Sequence, residues 1–437
     1  MRAIVTGPAH HIGGTVQVPG DKSVSHRALI LAALAQGEST VRGLAPGADV
    51  RSTAHCLRQL GVHIQITGDV AVVRGVGLQG LQTPTDALDC GNSGSTLRML
   101  MGVLAGAGVT ATLVGDASLT ARPMERVARP LRAMGATVTT TDGHAPVTVQ
   151  GRARTPICWQ SEPPSAQVKT ALLLAGLFLP GQTWVQEAFL TRDHTERMLP
   201  TFGVAMLHAP GRVGVQGPAK LLATEVLVPG DFSSAAFLLA LGAICPGPPL
   251  TIQGVGLNES RTGFLDALAQ LDVVVDIIPD LRSQGEPMGA LRVTRPDRLT
   301  GAAFSVDVIG RAVDEVPVLS ALCGQALGQS TVRGAAELRV KESDRLAQMA
   351  LGLEAMGATV VQWPDGLDIG VVGQTLELHG ATVDSAHDHR IAMAFAIAGL
   401  AAHGQTVIED AQWADISFPG FWRLLNTLTD GAVRLDV

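Results

Sequence analysis

The stretch VPGDKSVSHRAL (Val18–Leu29) is nearly repeated further along the chain as VPGDFSSAAFLL (Val228–Leu239). Each copy places Pro-Gly and an Asp directly before an apolar segment, which predicts a turn followed by a capped helix. The first copy carries Lys22 and Arg27, whereas the second has Phe232 and no cation. We expect a doubled fold in which the chain crosses between two domains at each copy.

Both copies belong to a longer pattern in which an Ala/Leu-rich helix ends at a glycine and a β-branched strand follows. The pattern recurs at intervals near one sixth of the 437 residues, around Gly37, Gly108, Gly181, Gly247, Gly328 and Gly404. Each repeat adds a second helix-then-strand phrase, and we predict a left-handed, helix-ending conformation for its glycine at Gly61, Gly135, Gly203 and Gly357. One repeat therefore contains two helices and several strands.

The helices of this pattern are too apolar to lie on a surface. The run IAMAFAIAGLAA (391–402) is apolar on every face, so it must be enclosed. We expect amphipathic helices to be largely missing, which argues against a barrel with helices outside. The predicted class is an inside-out α/β fold of two domains with three repeats each, buried helices and outer sheets. We place residues 1–20 and 231–437 in the first domain and residues 21–230 in the second.

The composition excludes several functional classes. A net charge of −7 opposes a broad basic surface for nucleic acid or anionic lipid. The 5 cysteines form no CxxC pair, so we expect neither disulfides nor a metal site. The first residues lack the apolar core of a signal peptide, and apolar runs stop near a dozen residues, about half a membrane span. We therefore expect a soluble cytoplasmic protein that does not bind membranes or nucleic acid.

The first copy of the repeated stretch is a candidate anion site. Lys22 stands at the predicted start of a helix, with Asp21 or Ser23 as its cap and Arg27 one turn later. Free backbone N–H groups and the helix dipole favour anions at such an end. The stretch GNSGSTLR presents a second loop of this kind, with backbone N–H groups near Gly94.

Further charged residues stand at predicted helix starts. Arg122 precedes Pro123, which we expect to start a helix, and Asp314 and Arg390 each begin an apolar one. In ELRVKESDRL, Lys341 and Arg345 are predicted to share one helical face, although an exposed ladder of charges would read the same way.

These charged residues predict the class of substrate. If the buried helices run parallel, the starts converge on an interdomain cleft, together with the carboxylates of Asp314 and Glu342. Such a pocket would bind substrates that carry phosphates and carboxylates. The two carboxylates would then transfer protons.

A set of motifs spread along the whole chain resembles one enzyme family, the 3-phosphoshikimate 1-carboxyvinyltransferases or EPSP synthases. The motifs are DKSVSHRAL, GNSGSTLR, ARPM, SAQVKTALLLAGL, TRDHTERML, DEVPVL, ELRVKESDRL and DHRIAMAF. The resemblance implies the two-domain inside-out fold and transfer of the enolpyruvyl group of phosphoenolpyruvate to the 5-hydroxyl of shikimate 3-phosphate in the shikimate pathway, which leads to aromatic amino acids. It also implies a monomer that needs no cofactor.

The resemblance also assigns residues. Shikimate 3-phosphate would be held by Lys22, Ser23, Arg27, Ser165, Ala166, Gln167, Arg192, Asp314 and Lys341. Phosphoenolpyruvate would be held by Lys22, Gly94, Arg122, Gln167, Arg345 and Arg390. Asp314 would accept the hydroxyl proton, Glu342 would protonate the methylene carbon, and Lys22 is counted with them as catalytic. One departure is Ile416, which stands where the better-known branch of the family has a phosphoenolpyruvate-contacting Lys.

Two alternatives remain open from the sequence. One is the enolpyruvyl transferase that acts on UDP-N-acetylglucosamine; that family typically has Lys-Asn at Lys22-Ser23 and a Cys in the loop that here reads VGDASLTARPM. The other is a non-catalytic or nucleic-acid-processing relative on similar repeats, which the acidic net charge opposes.

Overall fold

The computed structural model describes residues 1–189, 191–281 and 285–436. Its helices are α1 Lys22–Leu34, α2 Ala48–Gln59, α3 Gly94–Ala107, α4 Ala117–Thr120, α5 Glu125–Ala133, α6 Ala166–Gly176, α7 His194–Thr201, α8 Phe232–Ile244, α9 Gly263–Gln270, α10 Val306–Arg311, α11 Val316–Cys323, α12 Arg345–Ala355, α13 His389–Ala401 and α14 Phe421–Leu428. Short 3₁₀ helices span Val313–Glu315, Ala336–Val340 and Ala411–Ile416.

The strands alternate with these helices along the chain. They are β1 Arg2–Gly7, β2 Gly14–Gln17, β3 Gln36–Arg42, β4 His63–Thr67, β5 Val70–Val76, β6 Leu88–Asp89, β7 Ala111–Val114, β8 Thr137–Thr141, β9 His144–Gln150, β10 Cys158–Ser161, β11 Gly181–Glu187, β12 Met206–Ala209, β13 Arg212–Gly217, β14 Glu225–Leu227, β15 Leu250–Gly256, β16 Val274–Pro279, β17 Met288–Thr294, β18 Ser330–Val332, β19 Val360–Trp363, β20 Gly366–Ile369, β21 Thr382–Asp384, β22 Gly404–Glu409 and β23 Val433–Asp436.

The described residues divide into two compact units. Unit 1 comprises residues 1–19, 230–281 and 287–436, and unit 2 comprises residues 20–189, 191–229, 285 and 286. Each unit encloses its own apolar core, built around α8, α11 and α13 in unit 1 and around α1, α3 and α6 in unit 2. The expected domain ranges also include residues 190, 282–284 and 437, which lie outside the described residues.

Each unit contains three sheets with a recurring strand order. In unit 2 the orders are β14-β3-β5-β4, β6-β7-β9-β8 and β10-β11-β13-β12. In unit 1 they are β2-β15-β17-β16, β18-β20-β19 and β21-β22-β1-β23. In every four-stranded sheet the first pair is parallel and the other two pairs are antiparallel. One repeat of the sequence therefore corresponds to one sheet with two principal helices.

The first strands of the chain complete sheets whose other strands come much later. β1 lies between β22 and β23, with Ala3 opposite Ile408 on one side and Leu435 on the other. β2 pairs with β15 in parallel, with Thr15 opposite Thr251. Unit 1 is therefore assembled from both ends of the sequence.

The two helices of a repeat are buried to different extents. The first helices, α1, α3, α6, α8, α11 and α13, are buried on nearly every face. The second helices are only half buried; α5, for example, buries Val127 and Leu131 and exposes Arg129. The expectation that amphipathic helices would be largely missing is wrong for these second helices, because each covers only one side of the core.

The predicted helix-ending glycines are confirmed. Gly61, Gly135, Gly203 and Gly357 have φ of 91°, 92°, 81° and 93°. In the fourth repeat, Asp272 takes the same place after α9 with φ of 65°. An Asp tolerates this left-handed conformation better than most residues with a side chain.

Two helix starts differ from the prediction. α5 begins at Glu125 rather than at Pro123, since Met124 still lies outside the helix. α12 begins at Arg345, because the Asp344 side chain accepts a hydrogen bond from Ala347 N and caps the helix there. Lys341 therefore precedes the helix and does not share a helical face with Arg345. No helix formed by the described residues is long and apolar enough to span a membrane.

Candidate active site

In unit 2 the start of α1 holds a lysine beside a carboxylate. Asp21 caps the helix, its Oδ1 accepting a hydrogen bond from Val24 N at 2.8 Å. Lys22 is the first residue of α1, and its Nζ donates to Asp49 Oδ2 at 3.0 Å. About a quarter of the Lys22 side chain is exposed, so a ligand can reach its amine.

Arg27 is buried one turn further along α1. Its Nε donates to Thr195 Oγ1 at 2.8 Å, its Nη2 to Thr170 Oγ1 at 2.9 Å and its Nη1 to the Ser23 carbonyl at 2.8 Å. Burial lowers the pKa of Arg27 to about 10, opposed by the charge of Glu196. The guanidinium therefore remains a cation at neutral pH and is fixed by three helices.

The start of α3 gathers three further residues of the predicted set. Arg98 Nη1 donates to Gln167 Oε1 at 2.6 Å and its Nη2 to the Pro123 carbonyl at 3.2 Å. A Cβ added to Gly94 would lie 3.0 Å from Arg98 Nη1 and 3.6 Å from Arg122 Nη1. Gly94, Arg122 and Gln167 therefore lie together around Arg98.

The other predicted residues of unit 2 occupy loops and helix ends. Ser165 caps α6 through Val168 N, and Ala166 is the first residue of that helix. Arg122 Nη2 donates to Asn92 Oδ1 at 2.7 Å. Arg192 precedes α7, and its positive charge contributes to the lowered pKa of Arg27.

A buried chain of hydroxyls links the starts of α1 and α3. His26 Nδ1 lies 2.7 Å from Thr53 Oγ1, which lies 2.6 Å from Thr96 Oγ1. Thr96 Oγ1 in turn donates to Oγ of Ser93, the cap of α3, at 2.7 Å. Burial lowers the pKa of His26 to about 3, so the imidazole is neutral at physiological pH.

In unit 1, Arg345 joins three carboxylates. Its Nε donates to Asp388 Oδ2 at 2.7 Å, its Nη2 to Glu342 Oε2 at 2.6 Å and its Nη1 to Asp314 Oδ1 at 3.4 Å. Burial acts to lower the pKa of Arg345, but the charges of Asp388, Glu342 and Asp314 outweigh it and raise the pKa. The same cation, beside Asp388, lowers the pKa of that carboxyl despite its burial.

Arg390 approaches Asp314 from another helix. It is the second residue of α13, its Nη1 donates to the Asp314 carbonyl at 2.8 Å and its Nη2 lies 3.8 Å from Asp314 Oδ2. The structure thus brings Asp314, Glu342, Arg345 and Arg390 together within unit 1.

Lys341 differs from this buried group because its ion pair is partly exposed. Its Nζ pairs with Glu337 Oε1 at 3.0 Å, and more than half of the Glu337 side chain is exposed. Part of the exposed charge ladder left open by the sequence is therefore present, although it does not include Arg345.

Sequence reasoning missed two arginines in these clusters: Arg98 contacts Gln167, and Arg261 adjoins Asp314. Glu315, which the sequence places beside Asp314 at the head of an apolar helix, adjoins Arg390. Arg98 could have been found by the same signal as the others, since it is a cation inside an otherwise apolar helix.

Lys169 was also missed, although it too is a cation inside an apolar helix. Its Nζ lies 2.8 Å from both Glu187 Oε2 and Glu196 Oε1, and only 1% of its side chain is exposed. Burial acts to lower the pKa of Lys169, but Glu196 and Glu187 outweigh it and raise the pKa.

Sequence comparisons show what this chain is similar to. A sequence model described as EPSP synthase (3-phosphoshikimate 1-carboxyvinyltransferase) matches residues 7–425. A 3-phosphoshikimate 1-carboxyvinyltransferase of Gloeobacter violaceus is 49% identical over 422 residues, covering 96% of this chain and 97% of its own. The protein of that name from Pelotomaculum thermopropionicum is 47% identical over 425 residues, covering 96% and 97%.

Solved structures agree with the sequence relatives. EPSP synthase from Acinetobacter baumannii matches with a TM-score of 0.90 and 38% identity, covering 100% of both chains. The enolpyruvyl transferase NikO from Streptomyces tendae matches with a TM-score of 0.77 and 19% identity, covering 99% of this chain and 98% of its own, which supports the fold alone. The predicted class, the two-domain α/β fold of enolpyruvyl transferases, is confirmed.

Proposed function

Because this chain belongs to the EPSP synthase (3-phosphoshikimate 1-carboxyvinyltransferase) family, we propose which of its residues perform the reaction of that family. The enzyme transfers the enolpyruvyl group of phosphoenolpyruvate to the 5-hydroxyl of shikimate 3-phosphate and releases phosphate, in the shikimate pathway. The named relatives support this substrate pair rather than UDP-N-acetylglucosamine.

In our proposal shikimate 3-phosphate binds chiefly through cations and hydroxyls at helix starts. The residues are Lys22, Ser23, Arg27, Ser165, Ala166, Gln167, Arg192, Asp314 and Lys341. The contacts of Arg27 with three neighbouring oxygens support this assignment, since they fix a charged donor before the ligand arrives. Lys22, at the N-terminal end of α1, adds its charge to that of the helix dipole.

Phosphoenolpyruvate binds through a second set, Lys22, Gly94, Arg122, Gln167, Arg345 and Arg390. Gly94 supports its assignment because a side chain there would approach Arg98 and Arg122 closely. Guanidinium groups suit a carboxylate and a phosphate because they donate two parallel hydrogen bonds.

One observation carries the proposed chemistry: Arg345 donates to both Asp314 and Glu342. Two carboxylates thus lie beside one cation that is itself a proposed ligand of phosphoenolpyruvate. Asp314 accepts the proton of the 5-hydroxyl while the hydroxyl oxygen attacks C2 of phosphoenolpyruvate. Glu342 delivers a proton to the methylene carbon of phosphoenolpyruvate, and a tetrahedral adduct results. Loss of a proton from that carbon and departure of phosphate give the enolpyruvyl ether, with Lys22 and the arginines stabilising the developing negative charge.

The test of this function is phosphate release measured with both substrates and with each one alone. We expect release only when both are present, and none from either alone. Glu342→Gln should lower kcat by at least about 100-fold, the usual contribution of a positioned acid or base. Binding of shikimate 3-phosphate should change little, because the shape of the side chain is kept. Near-normal turnover of this variant would remove Glu342 from its assigned role.

We further propose that the enzyme acts as a monomer, as the family resemblance implies, and that it works in the cytoplasm. Light scattering of the purified protein should give the mass of one 45.3 kDa chain. A mass of two chains or more would contradict the monomer.

A further inference from the structure

Three buried side chains of unit 1 that have no assigned role adjoin the proposed catalytic group. They are Ser233 on α8, Arg261 just before α9, and Glu315 in the 3₁₀ turn that also holds Asp314. Their exposures are 4%, 4% and 1%. Charged side chains are rarely buried to this degree unless partners compensate them.

The three side chains contact one another in a closed triangle. Ser233 Oγ donates to Glu315 Oε1 and accepts from Arg261 Nη2 at 2.6 Å. Arg261 Nη2 lies 3.5 Å from Glu315 Oε1 and completes the third side. The cation, the carboxylate and the hydroxyl each therefore have partners within the triangle.

The triangle also touches the proposed substrate-binding and proton-transfer residues. Arg390 Nη2 donates to Ser233 Oγ at 3.2 Å, and Arg390 Nη1 lies 3.8 Å from Glu315 Oε1. Arg261 Nη1 lies 3.9 Å from Asp314 Oδ2. Two arginines and two carboxylates thus form a group in which each cation can pair with either acid.

In this arrangement, Arg261 and Glu315 determine which carboxylate each of the two arginines pairs with. While Arg261 neutralises Glu315, Arg390 stays directed at Asp314 and remains available to an anionic substrate. Without Arg261, the buried charge of Glu315 would attract Arg390, because an unpaired buried carboxylate is costly. Without the charge of Glu315, Arg261 would instead move towards Asp314, whose distance is already 3.9 Å.

We propose that Ser233, Arg261 and Glu315 form a positioning triad that keeps Arg390 directed at phosphoenolpyruvate and Asp314 in position for proton transfer. This inference rests on the proposed function of Arg390 and Asp314. The second copy of the repeated stretch, which lacks a cation of its own, contributes through Ser233, the residue that matches Ser23 of the first copy. Ser233 thereby holds Arg261 and Arg390, which other elements of unit 1 supply.

The triad predicts opposite kinetic signatures for its two charged members. Arg261→Met should raise the KM for phosphoenolpyruvate at least about tenfold and leave kcat within about threefold, since Arg390 is drawn away. Glu315→Gln should lower kcat at least about tenfold and leave that KM within about threefold, since Arg261 then pairs with Asp314. Arg261→Lys should recover most of the KM, and Ser233→Ala should weaken both parameters modestly.

Matched controls separate positioning from stability. Arg333→Met removes another guanidinium of unit 1, which pairs with Asp368 at 2.8 Å, and Ser320→Ala removes a buried hydroxyl of α11. Both should keep KM and kcat within about twofold of wild type. Steady-state kinetics of the full-length enzyme are measured beside its thermal unfolding, so that a fall in Tm can be compared among all variants.

The outcomes are distinct. A KM effect confined to Arg261→Met with a kcat effect confined to Glu315→Gln supports the triad. The triad is overturned if the two variants change the same kinetic parameter. It is also overturned if their kinetic losses follow the fall in Tm in the same way as those of the controls. If Arg261→Met fails to fold, Glu315→Gln decides: a fall in kcat with an unchanged KM supports the triad, and a kinetic loss that follows Tm as in the controls overturns it. If the wild-type enzyme releases no phosphate from the two substrates, it is the proposed function that fails.

Discussion

Arg122 shows how one side chain can be held in place for a ligand by local polar partners. Its guanidinium donates to Asn92, in the loop before α3, and to Ser118 in α4. We expect Arg122→Ala to raise the KM for phosphoenolpyruvate roughly 10- to 150-fold, since a hydrogen bond to a charged group contributes about 1.5–3 kcal/mol. Arg129→Ala, which removes an exposed arginine of α5, is the control for steady-state kinetics. An unchanged KM in Arg122→Ala would place this arginine outside the site.

His26 gives the protein a specific sensitivity to acid. The pKa of a histidine is 6.5 in an unfolded chain and falls to about 3 for His26 because the side chain is buried. Stability from the neutral imidazole is therefore complete above pH 6.5 and is lost as the pH falls towards 3. Between pH 6.5 and 4.5 the loss should approach about 2–3 kcal/mol, at 1.36 kcal/mol per unit.

The variant His26→Asn tests whether the loss of stability at low pH comes from this histidine. Urea unfolding at pH 7 and pH 4.5 should show a smaller loss of stability for His26→Asn than for the wild type, because the variant has no group to protonate there. His55→Asn, which changes an exposed histidine of α2, should behave as the wild type does. Equal acid losses in the wild type and His26→Asn would show that His26 does not cause the sensitivity.

Individual charged residues were predictable only where the sequence makes them stand out. Lys22, Arg345 and Arg390 were conspicuous because cations are scarce in apolar helices, and the structure places them at helix starts. Arg261 and Glu315 lie in different repeats, and nothing local marks them as partners. Their contact depends on how α8, α9 and the turn before α11 pack together, which spacing along the chain does not reveal.

At the scale of helices, α3 and α6 approach closely because small residues line their contact. A Cβ at Gly102 would overlap the Ala171 carbonyl of α6. Gly102→Ala should therefore destabilise the protein by at least about 2 kcal/mol, as overpacking of a rigid contact does. The measurement is urea unfolding followed by circular dichroism.

Gly310 supplies a matched control for this substitution. It also lies inside a helix, α10, but a Cβ there would meet no atom within 4 Å. Gly310→Ala should stabilise the protein by about 0.5–1 kcal/mol, because alanine loses less backbone entropy than glycine in a helix. If both alanine variants changed the stability alike, the close approach of α3 and α6 would not explain why a glycine stands at position 102.

Elements were predictable where a glycine or an apolar run determined them. The turns at Gly61 and Gly135 are of this kind, since few other residues adopt their φ. The segment around Lys341 was not, because a 3₁₀ turn and the cap at Asp344 interrupt what reads as one continuous helix. Caps decide helix starts through single hydrogen bonds, which a pattern of charges does not encode.

At the scale of the molecule, the two units should differ in their ability to fold as fragments. Unit 2 takes nearly all of its residues from one continuous stretch, including every strand of its three sheets. We expect a fragment of residues 20–229 to unfold cooperatively in urea. A fragment of residues 230–437 should not, because it lacks β1 and β2, and β1 is an interior strand paired on both sides.

Adding the missing strands as a peptide tests the reason. A peptide of residues 1–19 should restore cooperative unfolding to the fragment of residues 230–437, since it supplies β1 and β2. A peptide with Val5→Asp should fail, because Val5 is fully buried in the core of unit 1. Cooperative unfolding of the longer fragment by itself would contradict the importance of these strands.

The place of β1 between β22 and β23 also sets an order of events on the ribosome. Translation at roughly 5–20 residues per second separates the emergence of β1 from that of its partners by about 20–80 s. During that time unit 2 can emerge completely and fold, while the first strand waits unpaired at the ribosome surface. A nascent chain stalled near residue 400 should therefore carry a folded unit 2 and an N-terminal segment that chaperones can still bind.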